Sequence, residues 1–320
     1  MILFGENPLN PRAHQLLVDL LLLLVAFFWG TTFIIVKSAV SQVGVYEFLL
    51  LRFTLAFLLM VILFFKKIWP IHAPTLLAGA VLGAILFAAF AFQTWGLTVT
   101  TATITAFITG LNVIIVPILS IVLLRRPPAP LAAAGVLLAA AGLYILTGGT
   151  PTQWTPGEFW VFLCAVSVAF HILLTGYYAV HLEALALAAW QLGTVATLSF
   201  GFSLARGTLD VHFPASVWAA AAFTAVFATV FAFAVQTYSQ RYTPPTRTAL
   251  IFTAEPVFGA LFAHWYGGEL LLKQHLLGGG LIFLGMVLAQ IRPQIWSRIN
   301  AFSQKASHGA REKTLPIDIP

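Results

Sequence analysis

Charged residues and cysteine are scarce in this sequence. Only 8% of the 320 residues are charged, whereas a soluble domain carries about 25%. This shortage excludes an ordinary soluble globular protein. The one cysteine, Cys164, cannot form an intramolecular disulfide, and a metal site needs more ligands than it supplies. We therefore expect Cys164 to be a small buried side chain.

Several motifs that carry chemistry are also missing. The sequence has no Walker A pattern GxxxxGK[ST], so the chain does not hydrolyse ATP itself. It also lacks HExxH and GxSxG, and no His, Asp or Glu cluster has the spacing of a metal site. We expect neither a cofactor nor a metal, and an intramembrane enzyme is the weaker alternative.

Long apolar runs make up most of the chain, which is 60% hydrophobic. A helix that crosses a bilayer needs about 20 mostly apolar residues, and the short alternating segments of an outer-membrane barrel are absent. We predict an all-α polytopic membrane protein with ten transmembrane helices. Their approximate ranges are 16–38, 46–65, 75–98, 102–124, 129–147, 158–180, 185–205, 215–239, 246–266 and 275–291.

The positions of lysine and arginine predict the orientation of these helices. If the N-terminus is cytoplasmic, twelve of the 16 basic residues lie on the cytoplasmic side. Only Lys37, Arg206 and Lys273 lie outside, and Arg52 lies within a span. The positive-inside rule thus predicts that both termini are cytoplasmic. This bias explains the net charge of +6 without a nucleic-acid partner.

An internal repeat divides the chain into two halves. Residues 92–112 align with residues 235–255 without gaps, and seven of the sixteen positions from 93 to 108 are identical. Each half then has five helices, and an odd number of helices inverts the second half relative to the first. Inverted repeats are typical of alternating-access transporters, whose substrate sites lie near the midplane between the halves.

The repeat also predicts the domain boundaries. We expect a cytoplasmic N-terminus (1–15), a first five-helix repeat (16–147), an outer linker (148–157) and a second five-helix repeat (158–291). The basic tail from 292 to 320 is expected to be disordered and to lie near anionic headgroups.

Five stretches resemble the drug/metabolite transporter superfamily, specifically its ten-helix EamA-type members. They are WGTTFIIVKSAV (29–40), LRFTLAFLL (51–59), TAFITGLNVIIVPILSIVLLRR (105–126), TRTALIFTAEPVFGALFA (246–263) and GGGLIFLGMVLA (278–289). The resemblance covers about residues 20–291 and implies export or exchange of small metabolites across the cytoplasmic membrane. Many members have an acidic residue after both the fourth and the ninth helix. Here Glu269 follows the ninth, but Arg125-Arg126-Pro127-Pro128 follows the fourth.

Glu255 is the strongest candidate for a functional residue. It lies nine residues beyond Thr246, about 13 Å into the ninth helix, and its repeat equivalent Asn112 lies about 15 Å into the fourth. A carboxylate at that depth indicates function. Low-polarity surroundings favour its neutral form, so Glu255 could bind a proton and release it when the cavity opens to water. The alternative is a structural carboxylic acid bonded to a neighbouring Gln or Thr.

Two prolines accompany these polar residues. Pro256 offers no amide hydrogen to the carbonyl of Phe252, and Pro117 offers none to that of Val113. We therefore predict helix breaks at Pro117 and Pro256, which would leave carbonyl groups free beside a cavity.

Other polar and aromatic residues are candidates for the cavity wall. His171 is a second candidate for proton coupling, with a structural hydrogen-bonded role as the alternative. Gln93 and Gln236 occupy matching positions and suit either substrate contact or helix packing. An aromatic cavity with few charges suits an amino-acid-like or drug-like solute. The aromatic candidates are Trp29, Trp95, Tyr177 and Trp190.

Arg52 is expected near the outer end of the second helix. Glu47 and Lys37 lie on the same outer face, so a structural ion pair is the first interpretation and substrate gating the second.

The sequence thus favours a secondary transporter of a small organic metabolite in a bacterial inner membrane. An uncoupled facilitator or exchanger is the alternative within transport, and a receptor or scaffold without transport is the alternative outside it. Glycines at 135, 142, 278–280 and 285 form smooth helix faces and suggest a homodimer through the fifth and tenth helices.

Overall fold

The computed structural model describes residues 11–124, 130–146, 155–210 and 212–290. The predicted tail (292–320), residues 1–10 and most of the predicted outer linker lie outside the described residues. The described part contains helices and no strands. The helices are α1 (Pro11–Val40), α2 (Val45–Ile68), α3 (Ala73–Val99), α4 (Ala102–Gly110), α5 (Asn112–Leu124), α6 (Pro130–Leu146), α7 (Pro156–His181), α8 (Ala184–Ala205), α9 (Ala215–Ala225), a π-helical segment (Val226–Phe231), α10 (Ala232–Ser239), α11 (Pro245–Phe252), α12 (Ala254–Trp265) and α13 (Lys273–Gln290).

Six of these units are long and apolar enough to cross a membrane: α1, α2, α3, α7, α8 and the continuous α9–π–α10 segment. The predicted fourth span consists of α4 and α5, and the predicted ninth span consists of α11 and α12. The predicted fifth and tenth spans are the shorter helices α6 and α13. The predicted all-α polytopic fold is confirmed. The cytoplasmic location of the termini stays a prediction.

Helix packing repeats between the two halves. Helix α2 packs on α8, α4 on α12 and α6 on α13, so these spans contact their own repeat equivalents. The first span, α1, packs along α11 and α12, and the sixth span, α7, packs along α4 and α5 in the same way. Exchanging the two halves therefore reproduces the main contacts, as two inverted repeats require.

Both broken spans are interrupted at nearly equivalent positions. The ninth span breaks at Thr253, just after Phe252, whose carbonyl lacks a helical donor because residue 256 is proline. The fourth span breaks at Leu111, whereas α5 continues through Pro117. The break predicted at Pro117 is therefore wrong by six residues. Gly110 weakens the helix there, and the Asn112 side chain donates to the Thr109 carbonyl at 2.8 Å.

The glycine faces of the fifth and tenth spans are used within the chain. A Cβ on Gly142 would lie 2.6 Å from the Gly278 carbonyl oxygen, and one on Gly285 would lie 2.6 Å from that of Gly135. These glycines let α6 and α13 approach closely. The predicted homodimer was inferred from these same glycines. It stays a prediction, and their use in a contact within the chain does not support it.

Candidate functional site

A cavity lies between the two halves, where the first, second, third, fourth, sixth, eighth and ninth spans meet. Its volume is about 50 Å³. That is room for a few waters. The lining residues are Trp29, Thr32, Phe33, Arg52, Leu86, Ala89, Phe90, Gln93, Thr109, Cys164, Val168, His171, Phe233, Gln236 and Glu255.

Five of the predicted site residues line this cavity together: Glu255, Gln93, Gln236, His171 and Trp29. Glu255 lies in the first turn of α12, just after the break at Thr253, and only 6% of its surface is exposed. In the described part of the chain, the structure gives its carboxyl group neither a hydrogen bond nor an ion pair. The alternative of a carboxyl group bonded to a neighbouring Gln or Thr is therefore not supported.

The two glutamines and His171 take part in hydrogen bonds, which join different spans for Gln93 and His171 and stay within the eighth span for Gln236. The Gln93 amide donates to the Thr109 hydroxyl at 3.3 Å, and the Gln236 amide donates to Gln240 at 3.4 Å. His171 Nε2 lies 2.7 Å from Gln191 Oε1, so the ring donates there. These contacts favour a structural contribution from His171 as well as its place in the cavity wall.

Four predicted residues are not among the lining side chains. Asn112 is buried behind Thr109. Tyr177 is 63% exposed and packs on Tyr178 and His181 near the end of α7, as an interfacial aromatic does. Trp190 fills the close α3–α8 contact, where its Cβ would lie 2.4 Å from a Cβ on Gly79. Trp95 lies in a separate pocket at the end of α3.

Arg52 is the residue that sequence reasoning placed wrongly. It lines the cavity and is only 2% exposed. Its Nε donates to the Thr229 hydroxyl at 2.8 Å, and one terminal nitrogen donates to the Ala228 carbonyl at 3.3 Å. Its guanidinium carbon lies 4.7 Å from the centre of the Phe90 ring. Among the described residues no carboxylate pairs with Arg52, so the expected ion pair is wrong.

The π-helical segment explains why an arginine can be buried here. The Thr229 hydroxyl donates to the Thr224 carbonyl at 2.8 Å, five residues earlier, so it can also accept from Arg52. The Ala228 carbonyl accepts from both Arg52 and the Trp29 indole, the latter at 2.9 Å. Single π-helical turns inside α-helices are frequent at functional sites, and here the turn supplies the Ala228 carbonyl and the Thr229 hydroxyl as acceptors. No clear pattern of residues in the sequence indicates this turn.

The expected partners of Arg52 are engaged elsewhere. Glu47 accepts from the hydroxyls of Ser203 and Thr208. Lys37 donates to Glu269 at 3.2 Å. Glu269 also accepts from the amides of Ala102 and Thr103 at 2.8 and 3.0 Å, so it joins the ends of α1, α4 and α12.

Glu269 titrates below its ordinary range. Burial alone would raise the pKa of its carboxyl group, but the Thr103 and Ala102 amides, the Thr103 hydroxyl and the Lys37 ammonium stabilise the carboxylate. The net effect is a lowered pKa. At neutral pH this carboxylate is therefore charged and holds the first turn of α4.

Comparison with known proteins fits this arrangement of two halves around a cavity. Residues 16–148 and residues 155–290 each match the EamA-like transporter family. The chain belongs to this family. It is thus a multi-pass membrane transporter, as the resemblance of its motifs implied.

Two relatives are similar to this chain over most of its length. An uncharacterized transporter of Archaeoglobus fulgidus is 32% identical over 278 residues, which are 87% of each chain. A chloroplastic WAT1-related protein of Arabidopsis thaliana is 23% identical over 82% of this chain and 66% of its own length. One crystal structure matches 87% of this chain and 96% of its own with a TM-score of 0.65 and 18% identity, which shows a shared fold.

Proposed function

We propose that this chain is a secondary transporter that exports or exchanges a small organic zwitterion, amino-acid-like in its chemistry, by alternating access. The observation that carries the proposal is the pair Arg52 and Glu255. Both line one cavity, and in the described residues neither is paired with an opposite charge of the protein. Unpaired charges at this depth are costly unless a ligand or a proton satisfies them.

Each charged group suits one end of such a solute. The Arg52 guanidinium has five N–H donors and uses two of them on Thr229 and Ala228. The others can bind a carboxylate, which the planar guanidinium favours. The Glu255 carboxylate can accept from an ammonium group. The rings of Trp29, Phe90 and Phe233 provide apolar surface for the body of the solute.

The cavity in this conformation is smaller than the solute it would bind. Pockets for small molecules usually have volumes of some 300–1,000 Å³, compared with about 50 Å³ here. We therefore interpret this conformation as occluded. The breaks at Leu111 and Thr253 and the π-helical segment border the cavity and are the elements that can bend when it opens.

Proton coupling is assigned to Glu255. A carboxyl group that lacks partners holds its charge poorly in a closed apolar cavity, and it holds its charge well when water enters. Protons would thus be exchanged at each opening. An inner membrane location with cytoplasmic termini completes the proposal.

Flux into proteoliposomes tests this function. A pooled metabolite panel is offered with and without an imposed pH gradient to wild type and to Glu255→Gln. We expect the gradient to drive accumulation of a zwitterion in wild type only. Equal gradient-driven accumulation in both proteins would contradict coupling by Glu255. Exchange without any response to the gradient would identify an uncoupled exchanger.

A further inference from the structure

A second pocket lies at the face where α1 ends, which we call the distal face. It has a volume of about 420 Å³, within the usual range for small-molecule sites. Its wall combines aromatic and charged side chains from α2, from the end of α3 and from the segment after α8. They include Tyr46, Glu47, Trp95, Arg206, Asp210 and His212.

Arg206 is a charged residue of this pocket whose guanidinium has no hydrogen-bonded or ionic partner among the described residues. Its guanidinium carbon lies 5.5 Å from the centre of the Trp95 ring and 6.0 Å from that of Tyr46. The neighbouring acids have other partners: Glu47 accepts from Ser203, and Asp210 pairs with His212 at 3.0 Å. Across the described ranges, no side chain forms an ion pair or hydrogen bond with the Arg206 guanidinium. It is available to bind an anion.

Arg52, at the cavity, has a similar pair of aromatic neighbours. There the Arg52 guanidinium carbon lies 5.3 Å from the centre of the Phe53 ring and 4.7 Å from that of Phe90. Both arginines thus contact one ring of α2 and one ring of α3. Tyr46 precedes Phe53 by seven residues, about 10 Å along α2, and Trp95 follows Phe90 by five residues, about 8 Å along α3. The two arginines thus have similar aromatic surroundings.

We propose that the distal pocket is a second binding site for a small organic carboxylate, which contacts Arg206 through its carboxylate and Trp95 and Tyr46 through its apolar part. During transport the solute would occupy this site on its way between the cavity and the distal side. This role rests on the proposed transport function. A lipid phosphate offers the same anionic chemistry to an exposed arginine. The experiment must separate these two sources.

Benzoate is a suitable probe, because it has a carboxylate and an apolar ring but no ammonium group for Glu255. Binding of radiolabelled benzoate to the full-length protein in a nonionic detergent is measured by equilibrium dialysis. We expect Arg206→Gln to weaken binding about tenfold or more and Arg206→Lys to weaken it less. Arg241→Gln, which changes an exposed arginine outside this pocket, should bind as wild type does.

Two further measurements distinguish a carboxylate site at Arg206 from binding at Arg52 and from a lipid headgroup site. We expect the single variant Arg52→Gln to retain benzoate binding and the double variant Arg52→Gln/Arg206→Gln to lose it. This result does not depend on whether Arg52 binds the transported solute in the cavity. Titration with phosphatidylglycerol should not displace benzoate at one lipid per protein. Benzoate binding that is unchanged in Arg206→Gln would overturn the proposal. Complete displacement by one lipid would also overturn it and identify a lipid headgroup site.

Discussion

Replacing Glu269 by glutamine should loosen the distal end of the protein. The carboxylate accepts from the amides of Ala102 and Thr103 and from the Thr103 hydroxyl, and it pairs with Lys37. It therefore connects three spans where they end. Glutamine keeps the shape but has no charge, and only one of its terminal atoms can accept.

The size of the effect follows from these contacts. Loss of an N-terminal cap destabilises a helix by about 0.5–2 kcal/mol, and a charge near a helix N-terminus contributes about 0.3–1 kcal/mol. The Lys37 side chain is 34% exposed, so that ion pair adds little. Because glutamine retains part of the cap, we expect a net loss of about 1–2 kcal/mol. This changes the ratio of closed to open distal ends by roughly 5–30-fold.

The sole cysteine provides the assay. Cys164 lines the cavity and is buried in this conformation, so it reacts only after the cavity opens. A membrane-impermeant thiol reagent added at the distal face should label Glu269→Gln faster than wild type by the factor given above. Glu183→Gln is the matched control, because Glu183 caps α8 through the Ala186 amide at 2.8 Å without joining other spans. Equal labelling of Glu269→Gln and wild type would refute the reasoning.

The remaining predictions concern pH, packing, capping and the cavity charge. Because the pKa of Glu269 is lowered, its stabilising effect is present above its ordinary pKa and is lost as the pH falls through the lowered value. The melting temperatures of wild type and Glu269→Gln should therefore differ at pH 7 and converge in acid. Gly30→Ala would place a Cβ 2.5 Å from the Phe258 Cβ and should cost about 1–3 kcal/mol in thermal unfolding, whereas nothing lies within 4 Å of a Cβ in the control Gly280→Ala. Thr155→Ala removes the capping box of α7 with Glu158 and should lower stability by about 1 kcal/mol in the same assay. Arg52→Gln should weaken binding of the transported zwitterion about 10-fold or more in equilibrium dialysis, and Arg52→Lys should bind between it and wild type.

The fold was largely predictable, because the lengths of the apolar segments and the internal repeat can both be recognised in the sequence alone. The repeat aligned Asn112 with Glu255, and the structure breaks both spans beside these residues. The position of the first break was not predictable from proline alone, because Gly110 and the Asn112 side chain interrupt the helix before Pro117 is reached.

The cavity was predictable in part. Polar residues within spans, such as Glu255 and Gln93, are stable in the protein interior and costly in contact with lipid. Their place in the cavity wall is therefore predictable from the sequence. Aromatic residues such as Tyr177 and Trp190 are stable at the surface or in packing contacts, so their type alone did not place them. Arg52 was missed because its acceptors come from a π-helical segment 177 residues away in sequence. The pattern of charged residues along α2 does not indicate that contact.

The most direct test of the account is selectivity for zwitterions. The zwitterion that the panel identifies as transported is compared in proteoliposomes with its analogue lacking the amino group and its analogue lacking the carboxyl group, for wild type, Arg52→Gln and Glu255→Gln. We predict that wild type transports the zwitterion well ahead of both analogues, and that each variant loses the preference for the group its residue would bind. Equal transport of all three compounds by wild type, or unchanged selectivity in both variants, would contradict the assignment of Arg52 and Glu255 to the substrate.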